Sequence, residues 1–403
     1  MANVDVYVQK TKVGLLNKSK RSADSSEHHS FTYQSDADEA ISLAMPLRTE
    51  SYLFSELHPV FQMNLPEGHL RSYLERATAK HFGSDDLTLL TLLGNNQIGR
   101  MQYCLQGQAL PDGEADLPEL GDILASRDDA LFDQLLSRFA LRSGIAGVQP
   151  KMIVDAVSDK STLNVDSYVV KSWGEEFPQL ACNEYVCLSL CRNAGLEVAD
   201  FYLSENARLF INKRFDLDEA DQPLGFEDFC VLQGKSTREK YDASLESCAN
   251  TIRQYLSAEY LRSGLRDFFK LCVINVLIQN GDAHLKNSGI IYGDLKGYTF
   301  GANLPQARRL APVYDVVSTT PYITNDIMAL SLSGSKRWPK WKVLKRFAQS
   351  HCDLSAKQTE EVLAEVMQAV EPTQNLLTEL ADKHEEFAPI ATHMNELLVQ
   401  GIT

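Results

Sequence analysis

The sequence predicts a two-lobed α+β protein, and two observations lead to this prediction. Strand patterns prevail up to about residue 245, and patterns with the helical period of 3.6 prevail after it. Polar residues interrupt the apolar runs in the stretch IQNGDAHLKNSGIIY, close to where the two kinds of pattern meet. Because ligands usually bind in clefts between lobes, we expect a functional site there.

Composition describes an ordinary globular protein. The chain has 403 residues, of which 44% are hydrophobic and 23% charged, so it can bury a sizeable core and form two or three domains. The formal charge of −15 argues against a surface built to bind nucleic acid directly, since phosphate contacts need clustered Lys and Arg. The charge still leaves room for a local basic groove.

Targeting and cysteine patterns point to the cytoplasm. The first residues, MANVDVYVQKTKVGLLNK, lack the basic and then apolar order of a secretory signal, and no apolar run is long enough to cross a bilayer. We therefore expect a cytoplasmic protein with no membrane partner. The eight cysteines form no C-x-x-C pair, so we expect buried thiols and neither a zinc site nor a disulfide framework.

The first part of the chain predicts a small mixed α/β module. DVYVQKTKVGLL and SDADEAISLAMPL have the alternation of strands, and HLRSYLERATAKHF and DDLTLLTLLGN have the spacing of helices. An acidic stretch with Gly and Pro follows at about residues 106–122 and is the predicted linker. This gives a first domain at residues 1–122.

Strand patterns return in KMIVDAV, NVDSYVVKSW and ARLFINKRF, with the helix NEYVCLSLCRNAGL between the last two. They predict a second domain at residues 123–245. Helical patterns follow in SAEYLRSGLRDFFKLCVINVLIQN, WKVLKRFAQSHC, SAKQTEEVLAEVMQAV and TQNLLTELADKH. They predict a helical third domain at residues 246–403.

The stretch NGDAHLKN carries the strongest chemical pattern. Asp282 and Asn287 are five positions apart, which is the spacing of the acid and the amide in the protein-kinase catalytic loop. Asp315 then follows an apolar approach in RRLAPVYDVV and could be a second metal-binding acid. Mg²⁺ prefers such oxygen ligands, and Asp282 could take or orient the proton of an attacking hydroxyl. A plain surface turn is the alternative for each piece taken alone.

A nucleotide also needs groups that bind phosphate and adenine. Lys171 closes the run YVVK, as an ATP-contacting lysine closes a V-A-I-K strand, and Glu184 on the next helix could hold it in an ion pair. Backbone N–H groups of SGIAGVQPK could cradle phosphate, and the backbone after ARLFI could form a hinge that pairs with adenine. An exposed lysine, a turn and an ordinary strand are the alternatives. The candidate residues of the last two segments are Ala146, Gly147, Val148, Gln149 and Lys151 for phosphate, and Lys213, Arg214 and Phe215 for the hinge.

The ordered series of these motifs resembles the HipA family of bacterial serine/threonine kinases. The matching residues read AGVQPK, YVVK, CNEY, INKRFD, FEDFC, NGDAHLKN and LAPVYDVVS. MPL, LHPVF, LPEGHLR and LLGNNQIGR are similar to the small first module of that family. The resemblance thus covers nearly the whole chain.

The resemblance implies a divergent two-lobed protein-kinase-like fold with a small N-terminal α/β module and an all-helical C-terminal lobe. It implies ATP and Mg²⁺ as cofactors, Asp282 as the catalytic acid/base, Asn287 and Asp315 as metal ligands, and Lys171 as a phosphate contact. His284 and Lys286 match loop positions near the nucleotide, and Tyr314 adjoins the second metal ligand.

Members of this family phosphorylate a serine of an aminoacyl-tRNA synthetase or another translation-linked protein and arrest growth. The resemblance therefore implies a protein substrate of this kind and a DNA-binding antitoxin similar to HipB. Two departures limit the resemblance. The only serine of the glycine-bearing stretch SGIAGVQPK is Ser143, which is displaced from the position of the family's regulatory serine. Val316 and Val317 replace the Phe-Gly that ordinarily follows the metal-binding Asp. Neither autophosphorylation of this loop nor the usual activation switch is carried over.

Two other functions remain open from the sequence. A kinase-shaped regulatory protein or co-repressor would bind nucleotide without turnover, although every catalytic residue type is present here. Phosphorylation of a small molecule is also compatible with the residues, because acceptor specificity depends on surface shape.

Overall fold

The computed structural model describes residues 3–20, 27–78, 85–94, 97–110, 117–139, 149–159, 164–304 and 307–402. Its strands, numbered in chain order, are β1 Asn3–Val8, β2 Thr11–Lys20, β3 Glu27–Tyr33, β4 Tyr52–Phe54, β5 Met101–Leu105, β6 Lys151–Asp159, β7 Asn164–Lys171, β8 Phe201–Leu203, β9 Phe210–Lys213, β10 Gly225–Asp228, β11 Gly289–Tyr292 and β12 Arg309–Leu310. Its helices are α1 Pro59–Gln62, α2 Gly68–Thr78, α3 Asp86–Leu92, α4 Leu120–Ala125, α5 Leu131–Phe139, α6 Leu180–Asn193, α7 Phe229–Leu232, α8 Leu245–Tyr255, α9 Ala258–Leu277, α10 Trp341–His351, α11 Ala356–Gln368, α12 Val370–Lys383 and α13 Ala388–Gln400.

The chain forms two compact units. The first comprises Met1–Lys171, Asp216–Thr237 and Ile291–Gln306, and the second comprises Ser172–Phe215, Arg238–Ile290 and Ala307–Thr403. The chain therefore enters each unit more than once. The division into domains at residues 122 and 245 stays a prediction.

An antiparallel sheet with the strand order β4-β3-β2-β1-β5 organises the start of the first unit. The predicted strand pattern DVYVQKTKVGLL forms the hairpin of β1 and β2, in which Val4 faces Leu16. Gln9 and Lys10 both have positive φ, 47° and 68°, as a tight hairpin turn requires. Val4 and Leu16 are fully buried, so this pair contributes to the core.

The strand predicted at SDADEAISLAMPL is wrong. Residues 35–47 form turns and isolated bridges. The backbone N–H of Leu43 and the hydroxyl of Ser42 donate to the Glu227 carboxylate, at 2.7 and 3.0 Å. A buried carboxylate thus takes the hydrogen bonds that a neighbouring strand would otherwise take.

The predicted helices HLRSYLERATAKHF and DDLTLLTLLGN correspond to α2 and α3. Asp85 caps α3, because its carboxylate accepts from the N–H groups of Leu87 and Thr88. Helix α4 begins at Leu120, inside the stretch predicted as a linker.

The first unit also contains the hairpin of β6 and β7, formed by the predicted strands KMIVDAV and NVDSYVVKSW. Its register places Lys151 opposite Lys171 at the open end of the hairpin. Residues in directly opposite positions lie on the same face, so this end concentrates positive charge.

The second unit is mainly helical, as predicted. Helix α9 is the longest helix described and buries most of its last three turns. It contacts α6, α8 and α11, and α12 packs on α6 and α13. Capping boxes at Ser244 and Ser355 begin α8 and α11.

All eight cysteines fall within the described residues, and each is a buried free thiol. This confirms the prediction of buried thiols. A membrane-spanning helix would have to be longer and more apolar than any helix in the part of the chain that the structure describes.

Candidate functional site

The loop after α9 positions the candidate catalytic residues in the second unit. Gln279 adopts a left-handed backbone with φ 52° and turns the chain away from the helix. The side-chain oxygen of Asn280 accepts from the N–H of Asp282 at 3.1 Å, and the Thr319 hydroxyl accepts from the N–H of Gly281 at 2.9 Å. The turn is therefore held by one hydrogen bond within it and by one from Thr319.

Asp282 extends into solvent from this turn, with its side chain half exposed. The phenol of Tyr241 donates to Asp282 Oδ1 at 2.7 Å. His284 Nε2 lies 3.9 Å from the same oxygen, and its ring meets the ring of Tyr241 edge to face at 5.1 Å. The carboxylate is thus accessible to a second molecule while one of its oxygens is held.

Burial lowers the pKa of His284 to about 3, and the positive charge of Lys240 adds to this effect. The imidazole is therefore neutral near pH 7 and cannot supply a positive charge for phosphate. Its backbone N–H donates to Asn287 Oδ1 at 3.0 Å. His284 thus orients the predicted metal ligand through its main chain.

Asn287 and Asp315, the two predicted metal ligands, are in contact, and their role as ligands stays a prediction. Asn287 Nδ2 donates to Asp315 Oδ2 at 2.9 Å, although the two residues belong to separate segments. Asp315 has a left-handed backbone with φ 57°, which is uncommon for a residue with a side chain. Strain of this kind is typical of functional sites, where the surrounding structure enforces it.

This pair fits Mg²⁺ by its chemistry. It offers one carboxylate and one amide oxygen, both hard ligands, and the amide oxygen keeps a second lone pair beside its bond from His284. Among the described residues no group of three or more His, Cys, Asp or Glu side chains could hold a metal ion. The remaining ligands of a magnesium ion here would be water and substrate phosphate, as is usual for this ion.

The predicted hinge reaches the same site within the second unit. The ring of Phe215 stacks on Tyr314 with a centroid distance of 5.2 Å, and the Tyr314 hydroxyl donates to the Lys286 carbonyl at 2.8 Å. Arg214 is buried. The N–H of Lys213 already donates to the Asp200 carbonyl at 2.7 Å, so this donor is not available to adenine.

Asn183 is a positioning residue that the sequence reasoning did not single out. Its side chain exchanges two hydrogen bonds with the backbone of Ser318, at 2.8 and 2.9 Å, from a fully buried place on α6. The Ser318 hydroxyl donates in turn to the Ile278 carbonyl at 2.7 Å. These bonds tie the segment after Asp315 to α6 and to the start of the catalytic loop.

The sequence reasoning also did not single out Tyr241. Asn183 could have been found from its place in CNEY, next to the predicted Glu184. Tyr241 lies 41 positions before Asp282, and no local pattern connects the two.

The phosphate-binding candidates belong to the first unit. Lys151 and Lys171 are both buried, with 6% and 5% of their surface exposed. Their backbone positions face each other in the hairpin, and their contact with phosphate stays a prediction. Gln149 is partly exposed just before β6. Ala146, Gly147 and Val148, and the displaced Ser143, lie outside the described residues.

Glu184 belongs to the second unit, where it is fully buried on α6. Its ion pair with Lys171 stays a prediction.

Comparison with protein families matches both parts of the chain. The HipA N-terminal domain matches residues 4–104, and the HipA-like C-terminal domain matches residues 143–374. The chain belongs to the HipA family. The resemblance inferred from the motifs is thereby confirmed.

Two curated relatives come from Sinorhizobium fredii. The protein named "Putative kinase Y4dM" is 27% identical over 76% of this chain and 72% of its own length. The protein named "Putative kinase Y4mE" is 27% identical over 70% of this chain and 69% of its own length. Both HipA relatives thus carry a kinase name.

A solved structure of a toxin–antitoxin complex from Shewanella oneidensis MR-1, comprising HipA, HipB and operator DNA, matches with a TM-score of 0.68. The match covers 98% of this chain and 96% of that chain at 16% identity, so it shows the fold. The predicted α+β class with a helical C-terminal part is confirmed.

Proposed function

We propose that this HipA-family chain is an ATP- and Mg²⁺-dependent serine/threonine protein kinase. The observation that carries the proposal is the 2.9 Å hydrogen bond between Asn287 and Asp315, in the unit where Asp282 presents its carboxylate to solvent. An acid for the acceptor hydroxyl and two oxygen ligands for a metal are the parts that phosphoryl transfer requires.

Each residue has a definite task in this proposal. Asp282 accepts a hydrogen bond from the acceptor hydroxyl, aligns its oxygen toward the γ-phosphorus and takes its proton. Asn287 and Asp315 would hold the metal ion, which would supply positive charge against the phosphates. Lys171 and Lys151 contact phosphate oxygens, and the backbone around Phe215 receives adenine. Catalysis then comes mainly from positioning and charge stabilisation.

The acceptor and the partner follow from family membership. We propose a serine of an aminoacyl-tRNA synthetase or of another translation-linked protein as the acceptor, with growth arrest as the result. A DNA-binding antitoxin similar to HipB is the proposed partner, as in the complex from Shewanella oneidensis. Contact with DNA would then pass through the antitoxin.

The test is transfer of labelled γ-phosphate from Mg-ATP to proteins of a cell lysate, with Asp282→Asn alongside. This variant keeps the size of the side chain and removes the base, so we expect transfer to fall about a hundredfold or more while nucleotide binding is retained. Asp353→Asn, an exposed carboxylate that pairs with Arg253, is the matched control.

Three results would contradict the proposal in different ways. Undiminished transfer by Asp282→Asn would show that Asp282 is not the catalytic base. If the chain, free of antitoxin, binds nucleotide but transfers no phosphate to lysate proteins, a regulatory protein or co-repressor would be favoured. Label on a small molecule and not on any protein would show that the acceptor is a small molecule and not a protein.

A further inference from the structure

A strongly basic segment lies in the second unit of this acidic protein. Residues 336–346 read KRWPKWKVLKR and contain six Lys or Arg and no acid, in a chain whose formal charge is −15. Two of these cations are engaged: Lys336 Nζ donates to the Tyr241 carbonyl at 3.0 Å, and Lys345 pairs with Glu360. We call residues 336–346 the basic segment.

The other four cations of the basic segment are available for a partner. Arg337, Lys340, Lys342 and Arg346 are all exposed. Within the described part of the chain, no ion pair joins any of the four to an acid. Such a concentration of like charge on one short stretch is costly for a lone chain and favours contact with an anionic surface.

Hydrogen bonds connect the basic segment to residues around the catalytic loop. Lys336 bonds to the backbone of Tyr241, whose hydroxyl holds Asp282. Trp338 Nε1 donates to the Asp326 carbonyl at 2.9 Å, and the Asp326 carboxylate accepts from the hydroxyl of Thr319, which in turn accepts from the N–H of Gly281. The start of the basic segment is therefore tied by hydrogen bonds to the residues that hold Asp282 and its turn.

We propose that the basic segment docks an acidic stretch of the protein acceptor and so selects which hydroxyl reaches Asp282. This inference rests on the proposed kinase function and adds the chemical class of the acceptor surface. Complementary charge of this kind raises the association rate and suppresses wrong partners.

The surroundings of the two tryptophans favour an acidic peptide over a nucleic acid. Single-stranded nucleic acids bind by stacking bases on free aromatic faces between cations. Here Trp338 is fixed by its bond to Asp326, and Trp341 packs against Phe269 with the Lys345 ammonium over its ring. Four exposed cations without an open aromatic platform suit carboxylates.

Binding of two synthetic peptides tests the inference without requiring turnover. One peptide carries a serine flanked by glutamates, and the other carries glutamines in their place. Fluorescence anisotropy with the full chain should show the acidic peptide binding about tenfold more tightly or better. Raising the salt concentration should remove the difference, because exposed charges are screened beyond about 8 Å at physiological ionic strength.

A charge-neutral variant locates the effect. This variant combines Arg337→Gln, Lys340→Gln, Lys342→Gln and Arg346→Gln. It should abolish the preference for the acidic peptide and leave nucleotide binding and the melting temperature unchanged. The matched control neutralises four exposed cations elsewhere: Lys10, Arg262, Lys357 and Lys383. The control variant should keep the preference for the acidic peptide.

The results separate this inference from the kinase proposal. A preference that depends on the basic segment supports docking of an acidic partner there, and if no phosphate is transferred the selection of a hydroxyl fails together with the kinase proposal. Phosphate transfer with equal affinity for both peptides, or an equal loss in the control variant, overturns it. A single-stranded oligonucleotide that binds more tightly than the acidic peptide, and loses this binding in the charge-neutral variant, also overturns the inference. The partner would then be a nucleic acid and not an acidic protein.

Discussion

The phenol of Tyr241 donates to one oxygen of the Asp282 carboxylate, whose side chain is half exposed. Lys336 donates to the backbone carbonyl of Tyr241, which helps to fix the position of the tyrosine. A carboxylate on a half-exposed loop otherwise rotates among several orientations, and only some of them point at an acceptor hydroxyl. Tyr241 therefore positions the proposed base.

Tyr241→Phe should lower the rate of phosphate transfer about tenfold, since a hydrogen bond to a charged group contributes about 1.5 kcal/mol. The KM for ATP should not change, because the phenol holds the acid and not the nucleotide. Tyr185→Phe removes a hydroxyl from α6 in the same unit and should leave the rate unchanged. Equal kcat values for the two variants would show that Tyr241 has no positioning role.

Helix α1 depends on an uncharged histidine at its first turn. His58 caps this helix, and its Nδ1 accepts from the N–H of Val60 at 3.3 Å. Burial lowers the pKa of His58 from 6.5 to about 4. The folded chain then binds fewer protons than the unfolded chain between these two values, so acid favours unfolding.

We expect the contribution of His58 to be complete above pH 6.5 and to be lost as the pH falls toward 4, by up to about 3 kcal/mol. His58→Asn keeps a capping oxygen but cannot titrate. Urea unfolding at several pH values should therefore give a shallower acid limb for His58→Asn. Parallel curves for the two proteins would contradict the assignment.

Strand β10 needs a glycine at its first position. A Cβ at Gly225 would lie 2.1 Å from a ring carbon of Tyr292, which is buried and bonded to Glu227. Burial raises the pKa of Glu227, while the Tyr292 hydroxyl and the Leu43 N–H stabilise its ionised form. The ring cannot move without breaking this buried arrangement.

Gly225→Ala should lower the free energy of unfolding by about 1–3 kcal/mol through overpacking. Gly121→Ala in helix α4 is the control, because a Cβ there meets nothing within 4 Å. Alanine is the better helix former, so this change should be neutral or stabilising by up to about 1 kcal/mol. Denaturant titration measures both, and a stable Gly225→Ala would show that Tyr292 can repack.

The chain as a whole returns to each of its two compact units after leaving it. The acid, the metal ligands and the hinge residue Phe215 all belong to the second unit, whereas Lys151 and Lys171 belong to the first. A nucleotide that binds the folded chain and not the unfolded chain should increase the stability of the fold.

Mg-ATP at about one hundred times its Kd should raise the free energy of unfolding by about 2.7 kcal/mol. In Asp315→Asn the part of this increase that depends on Mg²⁺ should be lost, because the metal loses its charged ligand. Thermal melting with ATP, with and without Mg²⁺, measures the difference. An identical Mg²⁺ effect in both proteins would exclude Asp315 as a metal ligand.

The sequence by itself determined the family, the α+β class and helices α6, α9, α10, α11 and α12 of the second unit, because apolar periodicity and the motifs NGDAHLKN and LAPVYDVVS are local patterns. Helices α8 and α13 were not predicted. Asn287 and Asp315 lie 2.9 Å apart, while the metal site predicted for them stays a prediction. Strand β3, EHHSFTY, was missed because its residues lack regular apolar alternation.

Only the tertiary structure decided which distant residues serve the candidate site. The bond from Tyr241 to Asp282, the clamp from Asn183 to Ser318 and the carboxylate of Glu227 beside Leu43 each join segments far apart in the chain. No local pattern encodes such pairs, since a hydrogen bond depends on where the folded backbone places its two partners. The same reason explains why residues 35–47, with the alternation of a strand, fold around a buried acid instead.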